Sequence, residues 1–228
     1  LQWIQRFFYV EKRKLAPQKI EMRNYAPLFI AIRVIVYSLL VFGIAELIRF
    51  DAVAPLEEAL YSEFSRTEIS QEIILFVLVV FYLLLGRRYR PVQPVANLVA
   101  LFLLIGFIRE FNFLISWWFW PAFALLLTGF WLVWRDFKKL KNATREFFSQ
   151  PASAWFFAGF LVTYVFSRLM GRSKFWLELY DENIYRMAKA ATEEGLELMG
   201  NTLILISAVE FALVFWNRGK TKNQQPTN

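Results

Sequence analysis

The stretch LLIGFIREFNFLISWWFWP, residues 103–121, decides how the chain is read. It is apolar and aromatic enough for a membrane interior, yet Arg109 and Glu110 stand inside it and Asn112 comes soon after. An ionisable side chain at membrane depth is costly, so it pairs, reaches water or serves a function. Working outward from this stretch, the rest of the chain has the same character. Of 228 residues, 57% are hydrophobic and 20% charged, against about 45–50% and about 25% in ordinary soluble domains. The 25 Phe and 9 Trp raise the aromatic share to 19%. Several runs approach the roughly 20 apolar residues that cross a hydrocarbon core.

This pattern predicts an all-α polytopic membrane bundle with six transmembrane helices, at about 27–48, 70–86, 95–115, 117–134, 152–170 and 197–216. The second and fourth are short and are expected to extend into flanking polar residues. The chain then divides into three regions: a basic interfacial segment over 1–25, the six-helix domain over 26–217 and a basic, polar tail over 218–228. In the first region Leu1, Ile4, Phe7 and Phe8 share one helical face ahead of Lys12, Arg13 and Lys14, the pattern of an amphipathic helix lying on a membrane surface. The first 25 residues are also basic and broken by Pro17, unlike a cleavable signal peptide.

Basic residues cluster on one side of a six-span topology. They stand in the N-terminal stretch, at Arg87, Arg88 and Arg90, from Arg135 to Arg145, and at Arg218, Lys220 and Lys222. Positively charged loops stay in the cytoplasm, so both termini are expected there, with an acidic outer face. The net charge of +7 then reflects this asymmetry and attraction to anionic inner-leaflet lipids, without any nucleic acid. Trp117, Trp118, Trp120 and Tyr61 are expected at the outer interface, and Trp131, Trp134, Trp155 and Trp216 at the inner one.

The chain has no Cys and no His. That removes thiolate catalysis, iron–sulfur clusters, zinc sites of the usual kind, the common haem ligand and the usual general base. No cofactor is expected, and any chemistry must use carboxylates, Lys, Arg, Tyr or hydroxyls.

Two sets of intramembrane charges are candidates. Arg33 and Glu210 each lie about six residues, hence about 9 Å, from the cytoplasmic ends of the first and last spans, which predicts an ion pair between them. The larger set gathers at the outer ends: Glu46 and Arg49, Glu72, Arg109 with Glu110 and Asn112, Arg168, and then Glu193, Glu194, Glu197 and Asn201. Arg109 and Glu110 point about 100° apart on a helix, so each is expected to reach a different neighbour. Like charges three and four residues apart repel, so the three glutamates need arginines, protons, water or a hard cation such as Ca²⁺ or Mg²⁺. A helical pattern runs from about Asp181 into the last span and carries it beyond the outer face. Ile184, Met187, Ala191, Gly195, Leu198, Thr202 and Val209 lie along one side, with Ala191 and Gly195 as a close-packing step.

FIREFNF at the end of the third span, with YRMAKAATEEGLELMG much later before the last, resembles a pattern of uncharacterised bacterial multi-pass inner-membrane proteins over about residues 95–215. The resemblance implies a bacterial inner membrane and links Arg109, Glu110, Glu193, Glu194 and Glu197 as one set. It implies no activity. Three functions fit the sequence. The first is a non-catalytic membrane subunit that scaffolds, assembles or regulates a larger complex, with a protein partner or a homo-oligomer. The second is a small ion-coupled carrier using the outer carboxylates. The third is a lipid-acting enzyme with Glu110 and Glu194 or Glu197 as acid and base.

Overall fold

The computed structural model describes residues 27–54, 64–114, 116–182 and 184–222, the last seven of these as backbone only. The proposed N-terminal amphipathic helix, Tyr61 and the side chain of Trp216 lie outside the described residues. The chain divides into two compact units, Leu1–Leu39 and Leu40–Asn228. Helix α1, Pro27–Val53, begins in the first and ends in the second. Pro27 opens it in the first turn, where a missing N–H is no loss.

In the larger unit every described element is helical. Helix α2, Arg66–Arg88, starts at Ser65, whose side chain accepts the Glu68 N–H at 3.2 Å. It ends with Arg87 and Arg88 in its last turn, where cations suit the helix dipole. A short 3₁₀ turn, Arg90–Val92, leads into α3, Gln93–Glu110. A second such turn, Phe111–Phe113, precedes α4, Phe119–Arg135. Helices α5, Phe137–Phe148, and α6, Ala152–Met170, come next. A five-residue π turn, Val162–Phe166, interrupts α6. The short α7, Ser173–Leu177, then leads to α8, Tyr185–Lys222.

Five helices are long and apolar enough to cross a membrane: α1, α2, the segment Arg90–Phe113 around α3, α6, and α8 over Tyr185–Phe215. Helix α4 is apolar but has only 17 residues. It does not extend into polar flanks as the sequence reading expected, because Asp136 breaks the helix at φ −105° and ψ 18°.

Beyond Asp136 the chain is helical, where the sequence reading implied a loop. Phe137, Leu140 and Phe147 recur at helical spacing between Lys138, Lys139, Lys141 and Arg145, so α5 has one apolar and one basic face. Ala143 and Phe147 are buried. Phe147 meets Tyr82 of α2, Phe156 of α6 and Phe211 of α8, with ring centroids 6.4, 5.7 and 4.6 Å away. These four rings anchor the core at the basic end of the bundle.

Helix α8 packs against α2 and α6, and α2 packs in turn against α3. That position buries α8 on more than one side: Leu198, Thr202, Ile204, Ser207, Ala208 and Phe211 are all enclosed. The single stripe expected from the sequence does not describe it, since Ile184, Met187 and Val209 are exposed. Its closest crossing lies at Gly200, not at Ala191 and Gly195. A Cβ on Gly159 of α6 would stand 2.5 Å from the Gly200 carbonyl oxygen. Gly195 instead faces the Ile48 side chain of α1. The start of α8 is also later than expected. Asp181 accepts the Ile184 N–H on its side chain and the Tyr185 N–H on its carbonyl, which sets the helix going at Tyr185.

Candidate functional site: a charged and amide network

At the end of the bundle away from the aromatic core, four helices converge with polar side chains. Helix α3 ends at Glu110 with Arg109 in its last turn. Arg168 lies in the final turn of α6, just past the π turn. Helix α8 supplies Lys189, Glu193, Glu194, Glu197 and Asn201, which rise along it at spacings of three and four, and α2 supplies Gln71.

Arg168 is the central bridge. Its Nη1 donates to Glu193 Oε1 and its Nη2 pairs with Glu197 Oε1, both at 2.7 Å. Glu197 is buried, with only 6% of its side chain exposed, and its other oxygen lies 3.8 Å from Arg109 Nη2. Arg109 also donates to Glu110 Oε1 at 2.6 Å. The expectation that Arg109 and Glu110 reach different neighbours therefore needs amending. The arginine side chain is long enough to curl back onto the next residue while still facing Glu197. Lys189 Nζ stands 3.8 Å from Glu193 Oε2. The Glu193 carboxylate itself rests where a Cβ on Gly171 would be, 2.6 Å from its carbon, so the glycine after α6 leaves the carboxylate its place.

A second branch uses amides. Gln71 Nε2 donates to Glu194 Oε2 at 3.0 Å, and Asn201 Nδ2 donates to Gln71 Oε1 at 3.3 Å. Asn201 is 1% exposed, and its Oδ1 has no hydrogen-bond partner among the described residues. The seven ionisable side chains named here comprise four carboxyl groups and three cations, one acid more than base. Among the described residues no three acidic side chains are grouped as ligands for a metal ion.

Of the other residues singled out from the sequence, Glu46, Arg49 and Asn112 bond locally. Glu46 and Arg49 pair with each other one turn apart, at 2.7 Å. Asn112 donates to the Arg109 carbonyl oxygen at 3.0 Å and so caps the end of α3. Glu72 is half-buried, one position round α2 from the enclosed stripe Thr67, Gln71, Leu75, Leu78, Tyr82 and Leu85. Arg33 and Glu210 belong to different compact units, and their pairing stays a proposal.

Sequence reasoning missed two things. One is Gln71, which the spacing of the α2 stripe places on the buried face beside Leu75 and Leu78. The other is a clasp between the end of α1 and the start of α2. Asp51, fully buried, accepts the Thr67 N–H and Thr67 hydroxyl at 2.7 Å each. It also accepts the Arg66 N–H at 3.1 Å and Arg66 Nη1 at 3.3 Å. A carboxylate at a helix start satisfies otherwise unmatched N–H groups and suits the dipole. The signal was SRTE, residues 65–68, which carries the spacing of a capping box.

No protein-family model matches the chain, and no curated protein or solved structure is significantly similar to it.

Proposed function

We propose that this chain is a non-catalytic component of a bacterial inner-membrane complex, a scaffold or assembly factor whose charged network fastens its own helices. One observation carries the reading: the polar groups at the acidic end are engaged chiefly with one another. Arg168 and Arg109 are both committed to carboxylates, and the chain Asn201–Gln71–Glu194 ties α8 to α2. A group held in this way contributes to helix order and offers little to a substrate. The wide apolar surface of α4 supports the same reading. Phe119, Trp120, Phe123, Leu127, Phe130 and Trp134 are all exposed, available to lipid or to the helices of a partner.

The proposal includes six crossings, with α4 as the sixth and α8 projecting beyond the outer face. Leu132 and Arg135 at the end of α4 line the same crevices as Gln93 and Asn97 at the start of α3. The two helices therefore run antiparallel over similar lengths. With α4 counted, the basic segments fall on one side, which the positive-inside rule assigns to the cytoplasm. The chain has no cysteine, so single cysteines at Ser116 and Ser149 can report topology directly. A membrane-impermeant maleimide added to intact cells should label the first and spare the second. Labelling of both, or of neither, contradicts a crossing by α4.

The complex itself is tested by mild detergent extraction from native membranes and native mass spectrometry. A stoichiometric protein partner supports the reading; a bare monomer across extraction conditions overturns it.

A second reading, an ion-coupled carrier, has its own observation. Asn201 Oδ1 is enclosed and without a hydrogen-bond partner among the described residues, beside a network with one acid in excess, and the π turn of α6 meets α8 at Gly200 through Thr163. Such turns recur at functional sites. Proteoliposomes loaded with a pH-sensitive or Na⁺-sensitive dye separate the two readings. Flux abolished by Glu194→Gln favours the carrier, and absence of flux in the parent favours the scaffold.

A further inference from the structure

At the opposite end of the bundle, α2, α3, α4 and α5 line two adjoining open crevices. One, of about 420 Å³, has a polar lining that includes Gln93, Asn97, Arg135, Asp136 and Lys139. The other, of about 300 Å³, runs from Arg87, Gln93 and Asn97 along the apolar side chains Leu83, Ala100, Leu101, Leu104 and Leu132. Gln93 and Asn97 line both, so a polar mouth and an apolar trough meet at these two amides.

The mouth is electropositive. Arg135 Nη2 holds Asp136 Oδ2 at 2.7 Å, and Lys139 Nζ is 3.7 Å from Asp136 Oδ1. Arg87 has no ion-pair partner among the described residues. The mouth thus sets two cations against one carboxylate, and Arg87 at the head of the adjoining trough adds a third cation. Lys138, Lys141 and Arg145 on the polar face of α5 add to the field. The trough has a different chemistry: it carries no charged side chain beyond Arg87 at its upper end, and it descends between α2, α3 and α4 into apolar helix surface.

We infer that this composite crevice binds an anionic phospholipid, with the phosphate and its substituent at Arg87, Arg135 and Lys139 and one acyl chain in the trough. The arrangement matches such a molecule on both counts. A charged head needs cations and amide donors at membrane-surface level, and a chain needs an apolar channel leading from there toward the hydrocarbon. Clustered basic residues at a membrane surface attract anionic lipid, each contributing about fivefold in binding, and the attraction weakens as salt screens it. The trough adds what a bare basic patch lacks, a place for the tail, and thereby distinguishes a bound lipid from diffuse attraction. The scaffold reading is not required for this inference, and neither is the charged network at the other end.

The test uses the full chain purified in a neutral detergent with equimolar phosphatidylglycerol and phosphatidylcholine of identical acyl chains. Native mass spectrometry counts the lipids retained. The parent should retain phosphatidylglycerol at least about tenfold in preference. Arg135→Gln with Lys139→Gln, two exposed side chains whose loss leaves the core intact, should lower that preference about tenfold. The charge-preserving Arg135→Lys with Lys139→Arg should keep it. Leu83→Trp, which fills the trough from a partly exposed position, should lower retention of both lipids while leaving their ratio unchanged. Equal retention in the parent, a preference untouched by the Gln variants, or retention untouched by Leu83→Trp would overturn the assignment. Displacement of phosphatidylglycerol by inorganic phosphate alone would overturn it too, since the mouth would then be a site for a free anion.

Discussion

Replacing Arg168 by Met is the sharpest probe of the network. Arg168 makes two charge-assisted contacts of 2.7 Å, one to Glu193 and one to Glu197. Hydrogen bonds of this kind contribute about 1.5–3 kcal/mol each. The arginine side chain is 44% exposed, so solvent screening lowers the Glu193 contribution to about 1 kcal/mol, and Glu193 keeps Lys189 nearby. The Glu197 side is different. That carboxylate is buried and would retain only Arg109, at 3.8 Å. Removing one member of a buried pair costs about 3–5 kcal/mol, mostly because the other is left charged and dry. With Arg109 still present, about 2 kcal/mol is the share expected at Glu197, and the total is about 3 kcal/mol. At about 2–4 °C per kcal/mol for a chain of this size, Arg168→Met should lower the unfolding midpoint by about 6–12 °C. Heating in detergent and then size-exclusion chromatography reads this directly. Adding Glu197→Gln removes the stranded charge and should restore about half of the loss, a coupling of about 1–2 kcal/mol. A midpoint within about 1 °C of the parent, or strictly additive effects in the double variant, would falsify the account of Arg168 as the network's bridge.

The other predictions test separate joints of the fold. Gly159→Ala drives a methyl group to 2.5 Å from the Gly200 carbonyl oxygen and 2.7 Å from Ile204; it should cost about 1–3 kcal/mol. Gly43→Ala, with nothing within 4 Å of the added carbon, should instead stabilise by about 0.5–1 kcal/mol; equal effects in the same thermal assay refute the α6–α8 crossing. Asp51→Asn keeps the shape of the clasp but loses its charge and turns one acceptor toward the Thr67 and Arg66 donors into a donor. A loss of about 1.5–3 kcal/mol is expected, and a neutral result means that Asp51 does not cap α2. For Asp136, the hydrogen bond from Arg135 holds the carboxyl below its ordinary value of 3.8. A depressed carboxylate contributes stability that is full above its unfolded value and fades as pH falls through the folded one. Carboxyl ¹³C NMR should therefore show Asp136 titrating below pH 3.8, with the α4–α5 turn unchanged above it; a midpoint at or above that value removes the pairing.

Sequence patterning and structure agree where burial and length decide. The fifth predicted span, 152–170, coincides with Ala152–Met170, because Pro151 at its start and Gly171 at its end punctuate the helix as local chemistry dictates. Arg109, Glu110, Arg168, Glu193, Glu194 and Glu197 were named together from their positions at the helix ends, but their partners were not legible. Whether Arg168 meets Glu193 or Glu110 depends on how α6 lies against α8, and that is fixed by a contact between Gly159 and Gly200 that leaves no charge signature. Glu72 attracted attention because it is charged. Gln71 does the bonding described here because the repeat Thr67, Gln71, Leu75, Leu78 puts it on the enclosed face. A period of three and four residues was the better guide than formal charge. Helix α5 was hidden for the opposite reason: its many lysines read as a loop until the recurrence of Phe137, Leu140 and Phe147 is counted.

The two ends of the larger unit are held by different physics, and this difference bears on function. At the basic end, four aromatic rings from α2, α5, α6 and α8 close on one another. Ring contacts are non-directional enough to tolerate small shifts between helices, and such pairs add only about 0.5–1.5 kcal/mol each beyond their burial. At the acidic end, helix register is set by hydrogen bonds that fail within an ångström. A displacement of α6 along α8 by one residue, about 1.5 Å, would keep the aromatic cluster largely in contact but would pull Arg168 out of reach of one of its two carboxylates. The acidic end is therefore the part of this bundle that specifies one arrangement of helices, and the basic end supplies cohesion. In a scaffold, that division is useful. A partner that binds the exposed flank of α4 can shift the basic end without undoing the fold, whereas the network keeps α2, α3, α6 and α8 in fixed order. In a carrier it would work the other way, with the network as the element that must break and reform in each cycle. Arg168→Met then separates the two: it should leave a scaffold assembled but less stable, and should stop a carrier altogether.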